Sequence, residues 1–373
     1  MKMSNPTSPI SFFSDALLAW FDLHGRHDLP WQSNKTPYRV WVSEIMLQQT
    51  QVQTVIPYFQ KFMTRFPDIQ TLAEASQDEV LAHWSGLGYY ARGRNLHKAA
   101  KKILSDFNGD FPRTYDEIVS LPGIGRSTAG AILSIAYGVR TPILDGNVKR
   151  VLCRYDAVES WSGEKATEAR LWQRADALTP ADRVADYTQA IMDLGATLCR
   201  RSRPLCDQCP VQSECAAKST GRVSEFPFPK PKKHKSTKHT VLLVALDARR
   251  RIFLQKRPQQ GIWGGLWSLP QFEDEQALLT LLNGLAAAEG NSEQSSLSSR
   301  ADLLKLTQFK HTFTHYHLMI EPIILEVESM LNMTGKWMAI HEAAETGLPA
   351  PVRKIIQFVE KDYVKNRTLR KNG

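Results

Sequence analysis

The chain has 373 residues, and with 42% of them hydrophobic it is long enough for two domains, each with its own core. Lys and Arg number 47 against 38 Asp and Glu, giving a formal charge of +9 and a pI near 9.2, a balance that favours a polyanionic partner without naming one. The first fourteen residues lack a signal-peptide core and no later run approaches a membrane span, which excludes a membrane role and predicts an intracellular monomer of the cytoplasm or nucleoid.

Apolar residues recur three and four apart over 12–23, 38–47, 89–107, 127–137 and 148–158, and no strand-like alternation interrupts them, so residues 1–218 are expected to form an all-helical domain. Ser76 and Glu79 are spaced as a capping box for a helix over Gln77–Trp84. In the helix through Val40–Thr50, Glu44 falls between Trp41 and Leu47 on an apolar face. Burial there raises a carboxyl pKa and suits a general acid; the alternative is a Glu at the margin of that face with its head in water. Gln48, Gln49 and the loop Gly86-Leu87-Gly88-Tyr89-Tyr90-Ala91-Arg92 bring planar and polar groups to helix ends, as an enzyme that extrudes a base requires. Tyr89 and Tyr90 read equally as core aromatics.

The stretch Leu121-Pro122-Gly123-Ile124-Gly125-Arg126-Ser127 separates a helix starting near Thr114 from one over Arg126–Tyr137. Gly123 and Gly125 are expected to take backbone angles that side chains forbid, exposing N–H groups at a helix N-terminus that binds anions. Asp145 follows twenty residues after Gly125, just before another helix, where negative charge is favoured, so it is expected to be the ionised partner of Glu44. This arrangement resembles the helix-hairpin-helix of the DNA glycosylases that include endonuclease III; without the rest of the chain it also fits an ordinary helical connection.

Four of the five cysteines, Cys199, Cys206, Cys209 and Cys215, fall within seventeen residues. Their spacing alone admits either a tetrahedral zinc or a 4Fe-4S cluster, whereas Cys153 reads as a small buried residue. Arg200, Arg201 and Arg203 lie between ligands, placed for phosphate or simply solvated. Residues 219–239 are rich in Pro and Lys and are expected to be an extended linker. Beyond it the pattern turns to period two, with strands at 240–246, 251–256 and 319–327, helices at 273–285 and 352–361 and a Ser-rich loop at 290–299, an α+β domain over 240–373.

Nearly the whole chain resembles the MutY-type adenine DNA glycosylases, through Leu29-Pro30-Trp31, Val42-Ser43-Glu44, Met46 to Val52, the Gly86–Arg92 loop, the hairpin, Leu144 to Arg150 and the four cysteines. The resemblance implies excision of adenine mispaired with 8-oxoguanine or guanine in double-stranded DNA, with one 4Fe-4S cluster on the cysteines. It implies that Glu44 protonates adenine N7 and helps to activate water, that Asp145 stabilises the cationic sugar, that Gln49 and Tyr89 wedge the opened duplex and that Gln189 reads the flipped base. A surface amide is the alternative for Gln189.

Where relatives that also cleave the strand carry a Lys after the hairpin Arg, this chain has Ser127, which cannot form a Schiff base, so lyase activity is expected to be absent or weak. A pyrimidine glycosylase with lyase activity is the runner-up, and a non-catalytic DNA-binding protein with a structural metal is a third reading. The C-terminal domain resembles a MutT-like Nudix fold through Arg257-Pro258 and Gly261 to Trp267, but its helix lacks the glutamate cluster of a hydrolase. Phe313-Thr314-His315 matches the family's Phe-Ser-His triplet against 8-oxoguanine, with Thr for Ser; an ordinary strand bearing His311, Phe313, His315 and His317 on one face is the alternative.

Overall fold

The computed structural model describes residues 9–230, 235–288, 303–327 and 333–364. Its contacts gather into two units, residues 1–74 with 95–232, and residues 75–94 with 233–373. No helix among the described residues is long and apolar enough to cross a membrane.

The first unit is helical, as the periodicity predicts. The expected segments appear as Pro9–His24, Pro37–Leu47, Ala91–Asp106, Arg126–Tyr137 and Gly146–Tyr155, joined by Val52–Arg65, Lys165–Leu178 and Val184–Thr197. Phe13, Leu17 and Phe21 from the first helix meet Val148, Leu152, Leu171, Ile191 and Leu194 in one continuous core. Each fully buried side chain of this kind contributes about 1.5–3 kcal/mol. Cys153 is wholly buried within that core.

The predicted linker does not run free along its length. Phe226 is buried, its carbonyl accepts from Arg154 Nε at 3.0 Å, and the Phe228 ring stacks on it at 5.3 Å. Two aromatics among the prolines supply enough apolar area to hold residues 226–228 on the helical unit, and a strand has begun by Ser236. Residues 231–234 of the linker and the Ser-rich stretch 290–299 lie outside the described residues.

The second unit is built on a mixed sheet. Ser236–Asp247 and Tyr316–Val327 pair in parallel from Ser236 opposite Tyr316 to Asp247 opposite Val327. Arg251–Lys256 returns antiparallel through the expected turn, where the Arg250 N–H donates to the Asp247 carbonyl. The period-two expectation holds for side-chain direction but not for a wet face. Leu242, Val244 and Leu246 enter one core with Val352 and Ile356, whereas Val241, Leu243 and Ala245 enter another with Leu278 and Leu282. A parallel pair covered by helices on both faces is apolar throughout. Helix Gln77–Trp84 packs within this unit, its Ser76 side chain accepting from the Glu79 N–H as one half of the expected capping box, and there Asp78 pairs with Lys256 and the Tyr90 hydroxyl donates to the Leu348 carbonyl.

Candidate active site

Helix Pro37–Leu47 starts on Thr36, whose side chain accepts from the Arg39 N–H, with Pro37 in the first turn where a missing N–H costs nothing. Its buried face carries Trp41, Ile45 and Met46, and Glu44 rises from the edge of that face, partly open to solvent. The surrounding protein, and secondarily the charge of Asp145, push the Glu44 carboxyl up to about 8. No hydrogen bond reaches that carboxyl among the described residues.

Asp145 caps helix Gly146–Tyr155 by accepting from the Val148 N–H at 2.8 Å, and it also accepts from Asn147 Nδ2 at 3.3 Å. The capping position expected to favour negative charge is occupied, and burial works against it: desolvation pushes the Asp145 carboxyl up, opposed by those N–H groups and by the Arg150 charge. Desolvation is the larger effect because the cap lies inside the protein rather than at its surface. Of the two acids, Asp145 alone has donors to hold a negative charge.

Several residues fix the Asp145 segment. Ser127 Oγ accepts from the Leu144 N–H at 3.0 Å, engaging the hydroxyl that stands where a lyase would carry an amine. Gly130 lets helix Arg126–Tyr137 approach so closely that an added Cβ would lie 2.5 Å from the Pro142 carbonyl oxygen. Arg150 ties Asn147 Oδ1 to the Gly195 carbonyl through one Nη2, at 2.8 and 2.6 Å. Gly130 and Gly195 were not singled out from sequence; each lies in an unbroken helical pattern, where a Gly is the available signal of close approach.

The hairpin glycines differ from each other. Gly123 has φ of 83°, and a Cβ there would lie 2.7 Å from Asn95 Cβ. Gly125, expected to need the same freedom, has φ of −98° and ψ of 174°, which any residue adopts, and a Cβ would meet nothing within 4 Å. The space at Gly125 is left open beside the first turn of helix Arg126–Tyr137, whose N–H groups have no carbonyl partner within the helix.

Gln189 is buried, 8% exposed, and its Nε2 donates to Asp193 Oδ1 at 2.8 Å. Asp193 is itself buried and receives Arg26 through its backbone N–H, Nε and Nη2, at 2.8, 3.0 and 2.6 Å. Asp193 and Arg26 escaped the sequence reading because 167 residues separate them. Gln48 Nε2 donates to Thr128 Oγ1 at 3.4 Å. Gln49 and Tyr89 are exposed non-glycine residues with φ of 57° and 47°, in a region where backbone strain is stored.

Phe313, Thr314 and His315 do not continue a strand. They form the tip between Phe309–Thr312 and Tyr316–Val327, closed by the Phe313 N–H on the Tyr316 carbonyl at 2.9 Å. Phe313 packs inward against the Trp263 and Tyr316 rings, leaving Thr314 and His315 exposed.

Cys199, Cys206, Cys209 and Cys215 line one apolar cavity with Val151 and Leu194. Among the described residues no three ligand-type side chains converge as they would on a single metal ion. Four cysteine thiols round one cavity are a donor set that fits either a tetrahedral zinc or an iron–sulfur cluster. Burial pushes the Cys206, Cys209 and Cys215 thiols up, Cys209 to about 12. Arg154 Nη1 donates to Cys199 Sγ at 3.4 Å, a cation suited to a net anionic cluster. Arg200, Arg201 and Arg203 are exposed on the first loop between these cysteines.

Residues 42–177 match the HhH-GPD superfamily of base excision DNA repair proteins, and residues 241–358 match the NUDIX domain. Over 353 residues the chain is 41% identical to the adenine DNA glycosylase of Buchnera aphidicola subsp. Baizongia pistaciae (strain Bp), spanning 94% of this chain and 97% of that relative. It is 34% identical to the adenine DNA glycosylase of Homo sapiens, spanning 94% of this chain and 74% of the other. A solved thermostable thymine-DNA glycosylase aligns with a TM-score of 0.52 and 25% identity, over 57% of this chain and 97% of that one.

Proposed function

The chain belongs to the adenine DNA glycosylases of base excision repair, and on that premise we propose that it hydrolyses the N-glycosidic bond of adenine opposite 8-oxoguanine or guanine, using Glu44 as acid and Asp145 as the anion beside the sugar. The observation that carries this reading is the contrast between two neighbouring carboxyls, one pushed up to about 8 without a donor and the other held by the Val148 and Asn147 N–H groups.

In this mechanism Glu44 gives its proton to adenine N7, so that the electrons of the breaking C1′–N9 bond leave on a neutral base. The ionised Asp145 offsets the positive charge that develops on the sugar. Water then adds at C1′ and returns a proton to Glu44, leaving an abasic site. Asp193, paired with Arg26, can only accept hydrogen bonds, so Gln189 must turn its NH2 toward it. The Gln189 carbonyl is left to accept from the adenine N6 amino group, where guanine would present an unmatched oxygen.

The hydroxyl of Ser127, engaged with Leu144, supports a monofunctional enzyme and argues against a pyrimidine glycosylase with lyase activity. Gly123, Gly125 and the following helix turn would hold the backbone phosphate. Gln48, Gln49 and Tyr89 would fill or wedge the opened duplex, and Phe313, Thr314 and His315 would meet the 8-oxoguanine strand. Residues 1–218 would serve as the catalytic domain and 240–373 as the recognition domain. Cys199, Cys206, Cys209 and Cys215 would hold one 4Fe-4S cluster, which when bound cross-links the loop that carries Arg200, Arg201 and Arg203.

The deciding experiment incubates a duplex carrying one adenine opposite 8-oxoguanine, with and without hot alkali. Adenine release with strand breakage only after alkali is expected. Absence of release would overturn the assignment, and breakage without alkali would overturn its monofunctional part.

A further inference from the structure

The second unit carries a cationic pocket whose lining residues have no role in the mechanism above. Lys238, His239 and Arg257 line a concavity of about 650 Å³ together with Gln271, Phe272 and Glu273, a size typical of ligand sites. Lys238 and His239 are exposed at the start of strand Ser236–Asp247. Arg257 is half-buried; one Nη donates to Gln271 Oε1 at 2.5 Å, and its buried Nε has no partner among the described residues. Lys238, His239 and Arg257 form no ion pair among the described residues. Buried donors without partners cost stability unless a ligand completes them.

Lys238 links the pocket to the Phe313–His315 tip. Lys238 Nζ lies 5.3 Å over the Tyr316 ring, and that same ring stands 4.8 Å from Phe313 and 4.7 Å from His315. The charge balance selects among phosphate ligands. Lys238 and Arg257 against Glu273 leave a formal charge of about one positive, which suits a phosphodiester monoanion. A free nucleoside polyphosphate brings more charge, and helix Glu275–Ala288 has one acid with which to hold a balancing metal.

We propose that Lys238, His239 and Arg257 seat one backbone phosphodiester of the DNA strand whose base meets the Phe313–His315 tip. The proposal rests on the reading of that tip as a DNA contact. A phosphate seat fixes register without reading sequence, while the tip supplies the base discrimination.

The test measures binding of the full chain to a duplex made resistant to excision by fluorine at the adenosine 2′ position, between 50 and 200 mM salt. Lys238→Ala is expected to make the log–log salt dependence shallower by about one, weakening duplexes with 8-oxoguanine or guanine opposite adenine to the same extent. Lys238→Glu should weaken binding by about tenfold or more at the lowest salt, and Arg257→Gln should act in the same direction. An unchanged slope in Lys238→Ala and Lys238→Glu overturns the seat. So does Lys238-dependent binding of 8-oxo-dGMP or inorganic phosphate that the duplex fails to displace, since the pocket would then serve a free anion. The double variant Thr314→Ala/His315→Ala tests the tip separately: it should lower the preference for 8-oxoguanine with the slope intact. An unchanged preference would overturn the tip reading even where the Lys238 variants shift the slope.

Discussion

The carboxyl of Asp145 lies close enough to Glu44 for its charge to reinforce burial in keeping Glu44 protonated, yet only Asp145 is hydrogen-bonded. A pair of this kind divides its labour by environment. In the proposed mechanism the acid without donors supplies the proton, and the acid that caps a helix is the one with N–H groups to hold a charge.

The pH dependence of single-turnover excision follows from that division. With Glu44 as the proposed acid, excision needs it protonated, so the rate should decline as pH rises through about 8. On the acid side it should decline as Asp145, itself pushed up by burial, takes a proton. A profile that stays level from pH 7 to 10 would remove Glu44 from the role of acid.

The same displacement has a cost in stability that runs the other way. Because the folded state binds the Glu44 proton more tightly than the unfolded chain, it holds excess protons between about 4.5 and 8, and stability falls as pH rises through that window. Glu44→Gln removes the cost, so it should abolish excision while stabilising the fold at pH 8 by roughly 2–4 kcal/mol, a gain that fades toward pH 4.5. Denaturant unfolding at both pH values measures it; a variant less stable at pH 8 than the native chain contradicts the buried-acid account.

Asp145→Asn isolates charge from structure. Asn is as good a helix cap as Asp, so the Val148 contact and the fold should survive. Excision should fall by about 10³-fold or more, in line with the loss of a preorganised charge at the reacting centre. A loss of less than tenfold would show that the sugar is stabilised by something else.

Much of this site could be read from the chain because its signals are local. Thr114 and Glu117 form a full capping box, the helix after Gly125 runs over the predicted residues, and Asp145 caps the next one. The four cysteines need only their spacing to be grouped. What escaped depends on contacts distant in sequence. Arg26 meets Asp193 across most of the helical unit, and Phe226 is buried by partners that its proline-rich surroundings do not announce. The run Val241–Ala245 has one apolar pattern whether one face or both are covered, so the second layer of helix was not legible in it. The two hairpin glycines look alike in sequence, and only their φ angles and neighbours separate a glycine required by the fold from one whose space is left open.

That last difference yields a paired test. Gly123→Ala places a Cβ at positive φ and 2.7 Å from Asn95, so it should destabilise the protein by about 1 kcal/mol or more. Gly125→Ala meets no protein atom and adopts an ordinary conformation, so unfolding should be unchanged or slightly harder. If the open space beside Gly125 is where the DNA backbone approaches, the added methyl should instead weaken duplex binding by tenfold or more, equally for 8-oxoguanine and guanine opposite adenine. Thermal unfolding and equilibrium binding on the two variants separate these effects. Native-like affinity in Gly125→Ala would mean that the DNA backbone does not come close to this turn, and the phosphate would have to be held elsewhere on the helical unit.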